Sequence, residues 1–310
     1  MSGNSLREIT VLSGKGGTGK TSLVAAFASL AAPVVCADCD VDAADLHLIA
    51  RPEISERGPF IGGKKAEVSD ADCTGCGECA DFCRFEAVTL AGDTSGRTTA
   101  RIDPFSCEGC GACVRFCPEG ALGLEEQEEG EWFVSDTRFG PMVHARLKFA
   151  GEASGLLVTR VRETAKTVAR DRGIDTVLID GSPGIGCPVI ASTVASDLVL
   201  AVCEPTLSGL HDLRRVMDLA GHFRIPAAVC INKHDINPDV CADIEAFCRD
   251  RNAPVTGRLA YSTEFTRAQI KSRSVVEDGG PAAEQVRAVW EATLKCLAKE
   301  KPSAQNPENR

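Results

Sequence analysis

A parallel α/β sheet covered by helices and interrupted by an inserted α+β module is the fold the sequence predicts. Three observations predict it. Apolar strand-like runs alternate with helical patterns toward both ends of the chain, the alternation stops at about residue 52 and resumes near 155, and the gap holds cysteines in two copies of one spacing. With 310 residues and 44% hydrophobic content, the chain has material for one large core and one smaller module.

Residues 8–12 (EITVL), 34–38 (VVCAD), 175–180 (DTVLID), 197–202 (DLVLAV) and 227–231 (AAVCI) are short apolar runs rich in β-branched residues, the pattern of strands buried on both faces. Residues 21–32 read as a helix stopped by Pro33. A second helix is expected over 208–223, with Leu210, Leu213, Val216, Met217 and Ala220 on one face and Ser208 as N-cap. A third, over 284–299, aligns Val286, Val289, Trp290, Leu294 and Leu297 for packing on the core. The expected division is a discontinuous core of 1–51 and 150–300 around an insertion of 52–149. Within the insertion, the cysteine module occupies about 68–125 and a β-hairpin follows over Glu131–Phe149. Residues 301–310 (KPSAQNPENR) read as a disordered tail.

The net charge of −10 is concentrated. Thirteen carboxylates face four bases between Asp70 and Glu129, a net of −9, so this segment is not suited to DNA phosphate; a solvated acidic surface or a face for a basic redox partner fits it. No leader and no run of about 18 apolar residues is visible, which predicts a cytoplasmic protein without a membrane partner. Sixteen cysteines in a long chain of that kind point to metal or redox chemistry before disulfides.

The first strand runs into Ser13, Gly14, Lys15, Gly16, Gly17, Thr18, Gly19, Lys20 and Thr21 and then a helix, which satisfies GxxxxGK[ST] in its strand-to-helix context. Glycines let the backbone wrap phosphates, and successive N–H groups at a helix N-terminus favour the anion. Lys20 is placed to reach the outer phosphates, and the Thr21 hydroxyl to bind Mg²⁺.

The form KGGTGKT, with its extra Lys15, resembles the deviant P-loop of the MinD/ParA/Mrp superfamily. The resemblance implies a SIMIBI-type P-loop NTPase that binds ATP and Mg²⁺ in a sandwich dimer, with Lys15 reaching the partner's nucleotide. It further implies that Asp38, Cys39 and Asp40 form switch I, Asp40 positioning the attacking water. Asp180, before Gly181, Ser182, Pro183 and Gly184, matches the Walker B and switch II region and holds Mg²⁺ directly or through water. Asn232, in Asn232-Lys233-His234-Asp235, is expected at adenine. NKxD also reads guanine in many GTPases, so ATP and GTP both remain open, with ATP favoured by the deviant loop.

Cys73, Cys76, Cys79 and Cys83 follow CxxCxxCxxxC, and Cys107, Cys110, Cys113 and Cys117 repeat it, followed by Pro118. This resembles the bacterial ferredoxin spacing for two [4Fe-4S] clusters, in which the fourth cysteine of each run serves the other cluster. The implied sets are Cys73, Cys76, Cys79 with Cys117, and Cys107, Cys110, Cys113 with Cys83. Gly75, Gly77, Gly109 and Gly111 allow the backbone to turn its N–H groups toward sulfur. Two zinc sites are the alternative. Arg84 stands where the second run has Pro118, a departure from the usual Cys-Pro ending.

P-loop and module together resemble MinD-like ATPases with an inserted ferredoxin domain, over TRFGPMVHARL (137–147), DGSPGIGCPVIAS (180–192), EPTLSGLHDL (204–213) and INKHDIN (231–237). The resemblance implies a homodimer, or a heterodimer with a similar ATPase, acting on a redox or metal-cofactor client. The competing expectation is a positioning or cell-division protein with redox-sensing clusters. Of the remaining cysteines, Cys36, Cys39, Cys203, Cys230, Cys241, Cys248 and Cys296 read as small core residues. Cys187, seven residues after Asp180, reads either as packing beneath the switch or as a metal ligand. Trp132, Arg138 and His144 read as a docking surface or as a packed hairpin.

Overall fold

The computed structural model describes residues 6–92, 96–148 and 154–299. In chain order the elements are β1 (Arg7–Leu12), α1 (Lys20–Ala31), β2 (Val35–Asp38), α2 (Leu46–Ala50), β3 (Glu53–Val68), α3 (Glu78–Phe82), β4 (Val88–Gly92), β5 (Thr98–Ile102), α4 (Ala112–Arg115), β6 (Leu122–Thr137) and β7 (Gly140–Leu147). They continue as α5 (Ser154–Asp171), β8 (Thr176–Asp180), α6 (Cys187–Thr193), β9 (Leu198–Cys203), α7 (Leu207–His222), β10 (Ala227–Asn232), α8 (Pro238–Asp250), β11 (Val255–Leu259), α9 (Thr263–Ile270), α10 (Val275–Asp278) and α11 (Pro281–Lys299).

The main sheet has the order β11-β10-β9-β1-β8-β2-β7-β6-β3. Its β1, β2, β8, β9, β10 and β11 pairings are parallel, as their apolar runs require once helices cover both faces. One apolar layer centres on α1, whose Leu23, Val24, Phe27 and Ala28 are buried against the sheet and the C-terminal helices. Phe27 stacks on Trp290 of α11 with ring centroids 5.0 Å apart, so the apolar stripe read over 284–299 faces the core. The other layer joins β9, β10, α7 and α8 through Val199, Leu213, Val216 and Ile244.

By compactness the chain divides into one unit of Met1–Gly58, Trp132–Arg146 and Ser154–Arg310, and a second of Pro59–Glu131 and Leu147–Ala153. The hairpin expected to follow the cysteine module is therefore assigned differently. Strands β6 and β7 are neighbours joined by Arg138 and Phe139, and β7 pairs parallel with β2, which puts 132–146 in the first unit. Phe149 and the tail 301–310 lie outside the described residues. Two further corrections concern local chemistry. The cap of α7 is Thr206, whose hydroxyl accepts the Gly209 N–H at 2.9 Å, and not Ser208. The strand β11 was not anticipated, because VTGRL is short and carries Gly257 beneath Val289.

The second unit contains the antiparallel pair β4–β5, the helices α3 and α4 and the module-side ends of β3 and β6. Its buried cluster is made of small side chains: Ala66, Ala87, Ala100 and Ala121 with Val88, Leu122 and the cysteines 73, 79 and 107.

Candidate functional site: a phosphate loop and a cysteine cavity

The loop between β1 and α1 is shaped by glycine. Gly17 and Gly19 have φ of +80° and +88°, a region open to glycine at little cost. A side chain at Gly14 would overlap Asp212, and one at Gly19 would strike the Asn232 amide. The loop is tied down from the β10 side: Asn232 Nδ2 donates to Thr18 O at 2.7 Å and Lys233 Nζ to Gly17 O at 3.2 Å. The amide expected at adenine is thus engaged in holding the phosphate loop.

Lys20, Thr21 and Asp40 line a cleft of about 600 Å³ with Gly16, Thr18 and Gln269. Lys20 is buried; its ammonium is hydrogen-bonded to Asp180 and paired with Asp40 at 3.5 Å. Asp38 stands opposite Asp180 in the β2–β8 register, so three carboxylates surround one lysine. Burial, then Asp180, raises the Asp38 carboxyl well above the usual carboxylate range. Burial also raises Asp40, against the pull of Lys20. For Lys20 burial pushes the other way, but Asp180, Asp40 and Asp38 outweigh it and its pKa is raised. Asp38 Oδ2, Asp180 Oδ2 and Thr18 Oγ1 are buried without a hydrogen-bond partner.

Lys15 lies at the other side of the loop, 2.8 Å from Glu204, with Thr206 Oγ1 and Ser208 Oγ at 3.4 and 3.3 Å. Glu204 also pairs with Lys233 at 3.1 Å. Burial would raise the Glu204 carboxyl, yet hydrogen bonds from Lys15 and Lys233 hold it below its ordinary value. The sequence reading missed Glu204; the available signal was an acidic residue following a parallel strand, where open sheets place ligand sites.

In the module the two cysteine runs occupy equivalent settings. Cys83 and Cys117 Sγ accept N–H bonds from Ala87 and Ala121 at 3.4 and 3.3 Å, and Cys73 and Cys107 accept from Ala100 and Ala66 at 3.4 and 3.5 Å. Gly75, Gly77, Gly109 and Gly111 all have positive φ; a Cβ on Gly75 or Gly109 would overlap the carbonyl of Thr98 or Lys64. Phe82 and Phe116, each preceding a fourth cysteine, stack at 4.6 Å. One cavity is lined by Cys73, Cys76, Cys79 and Cys117, the crossed set expected from the spacing. Among the described residues, no three His, Cys, Asp or Glu side chains close on a single metal ion; these four thiols border a cavity.

Residues 72–121 match the 4Fe-4S dicluster domain family. The uncharacterized protein MJ0578 of Methanocaldococcus jannaschii is 34% identical over 235 residues, 75% of this chain and 80% of its own. This chain and MJ0578 belong to one family. The cell division ATPase MinD of Pyrococcus furiosus superposes with a TM-score of 0.54 at 17% identity, over 93% of this chain and 98% of that one. The septum site-determining protein MinD of Pyrococcus horikoshii, complexed with Mg-ADP, gives 0.53 at 16%, over 92% and 95%. The chain has the fold of the MinD P-loop proteins, and a 4Fe-4S dicluster segment is inserted in it.

Cys187 is exposed at the start of α6, which does not fit packing beneath the switch, one of its two readings. Its neighbour across the helix pair is Gly155 of α5, where a Cβ would come within 3.1 Å of Cys187 Cβ. Of the other cysteines outside the module, Cys36, Cys39, Cys203, Cys230, Cys241 and Cys248 are buried and Cys296 is half-buried. His144 hydrogen-bonds Ser135 at 2.9 Å and stacks on Phe133, and Arg160 lies over the Trp132 ring, so these hairpin residues pack within the first unit. No helix among the described residues is long and apolar enough to cross a membrane.

Proposed function

We propose that the chain is an ATP hydrolase whose ATP-dependent dimer switching, as a homodimer or with a similar ATPase, is coupled to electron transfer or to iron–sulfur or metal-cofactor assembly on a client protein. The observation that carries this reading is the presence, in one chain, of the Lys20 cluster with Asp40 and Asp180 and of a cavity lined by the crossed cysteine set.

Mg²⁺ fits the carboxylate cluster: three carboxylates face one ammonium, and one oxygen each of Asp38 and Asp180 is buried without a partner. Thr21 would hold the ion with Asp180, directly or through water, and Lys20 would exchange its carboxylate partners for phosphate oxygens. Asp40 is assigned to orienting the attacking water. Asn232 positions the loop from below, and Lys15 leaves Glu204 to reach the partner's nucleotide. ATP is favoured over GTP by the deviant phosphate loop and the switch motifs; Asp235, which would read guanine, accepts the Tyr261 N–H through Oδ1 at 2.7 Å.

The cysteine sets are assigned to two [4Fe-4S] clusters, Cys73, Cys76, Cys79 and Cys117 for one and Cys107, Cys110, Cys113 and Cys83 for the other. Such clusters supply one-electron redox chemistry when bound. Backbone N–H groups already point at the sulfurs of Cys73, Cys83, Cys107 and Cys117, the geometry that cluster-ligating cysteines use. Cys187, exposed, is assigned as an accessory metal ligand.

Lys15→Ala tests the reading. The variant is expected to bind ATP but neither to dimerise on ATP nor to hydrolyse it, as followed by light scattering and phosphate release. Normal turnover in Lys15→Ala would overturn the switching mechanism, and a preference for GTP would overturn the base assignment.

A further inference from the structure

From α2 the chain runs through Arg51 and Pro52 into β3, leaves the first unit after Gly58, and re-enters it at Trp132 of β6, which runs to the turn at Arg138. Both passages meet at one guanidinium. Arg138 Nη1 donates to the carbonyls of Ile49 and Ala50, the last residues of α2, at 2.9 and 3.0 Å. Nη2 donates to Ser272 O at 3.1 Å and to Glu277 Oε2 at 2.9 Å, while Nε donates to Glu277 Oε1 at 2.6 Å. Just beyond, the outgoing and returning strands are stapled to each other, with Ser55 Oγ donating to Val134 O at 3.1 Å. A Cβ on Gly58 would come within 2.8 Å of the Trp132 ring, so a side chain at position 58 would displace that ring.

The groups Arg138 grips are continuous with the nucleotide cleft. Leu48 and Ile49 of α2 line it, as does Gln269 of α9, three residues before Ser272. Asp40, six residues before α2, lies in the same wall. A planar fork with five donors can hold carbonyls of two wall segments and a carboxylate together; an ammonium cannot.

We propose that Arg138 is a positioning residue that couples the walls of the nucleotide cleft to the neck through which the chain enters and leaves the cysteine module. A change in α2 or in the α9–α10 connection moves the oxygens Arg138 holds, and the turn that carries Arg138 ends β6, which begins five residues after Cys117. The inference rests on the coupling of nucleotide state to the clusters proposed above and names the side chain that transmits it.

The test uses the full chain, purified without oxygen and loaded with iron and sulfide. Two readouts are compared with and without Mg-ATP: deuterium exchange of the neck amides in 53–58 and 132–137, and the cluster EPR spectrum. Wild type should change in both. Arg138→Ala and Arg138→Lys should bind ATP within about threefold of wild type, keep their iron, and lose the nucleotide-dependent change in both. Glu277→Gln keeps a capping-box side chain at that position while removing the charge pair, and should lose part of the change. If both Arg138 variants keep the full response, Arg138 is only a structural tie and the inference fails. If wild type itself shows no response, the coupling reading fails and takes the inference with it.

Discussion

The phosphate loop and the cysteine module both concentrate ligands for charged groups, but they are built from different material. Around the loop, the carboxylates and Lys20 are fixed by strands and helices whose own cores are complete: β1, β2 and β8 are buried along nearly their whole length, and α1 packs on large side chains. The module has a buried cluster of alanines and cysteines with few large side chains, and its loops are set by glycines at positive φ and by N–H bonds to sulfur. The loop is preformed by packing, whereas the module, with little apolar volume, is expected to depend on bound metal for its stability, as small domains commonly do.

Removing iron should separate the two regions most visibly. Chelation and oxidation of the clusters, or Cys117→Ser, should melt the segment 59–131 in deuterium exchange while the first unit keeps its cooperative transition. The freshly isolated protein should carry about eight irons by the two-cluster assignment. Stoichiometric zinc without iron, or a module that stays protected after chelation, would show that the two regions do not differ in this way.

A smaller effect is expected at the loop. Lys20→Ala leaves Asp38, Asp40 and Asp180 without their cation, and loss of a buried charge partner costs about 2 to 5 kcal/mol in binding. ATP affinity should fall at least tenfold by calorimetry, with the iron content unchanged.

The smallest effect concerns pH. Burial, with a lesser push from His47, lowers the His144 imidazole from 6.5 to about 4. A histidine whose folded pKa is depressed stabilises the fold above its unfolded value, and that contribution is lost as pH falls from 6.5 toward 4. The loss should reach no more than about 3 kcal/mol, and His144→Asn should flatten this limb in thermal melts. An unchanged acid limb in His144→Asn would place the dependence elsewhere.

What the sequence disclosed follows the same contrast. Strands buried on both faces advertise themselves as apolar runs, so the core and its phosphate loop were legible, as was the cysteine spacing. The long strands β3 and β6 were not, because most of their residues are exposed or half-buried and the first contains Gly58, Pro59, Gly62 and Gly63. The membership of β7 in the main sheet rests on pairing with β2, a contact about a hundred residues distant that no local pattern encodes. The ties made by Arg138 and Glu204 were hidden for the same reason: a charged side chain looks alike on a solvated face and at a junction of four segments.

The coupling proposed between the two regions is tested most directly by the rate at which reduced clusters in the intact protein pass electrons to an external acceptor with Mg-ATP, with Mg-ADP and without nucleotide. The predicted result is a rate that changes with ATP in wild type and becomes independent of nucleotide in Lys15→Ala at equal iron content. Identical rates in all three nucleotide states of the wild-type protein would contradict it.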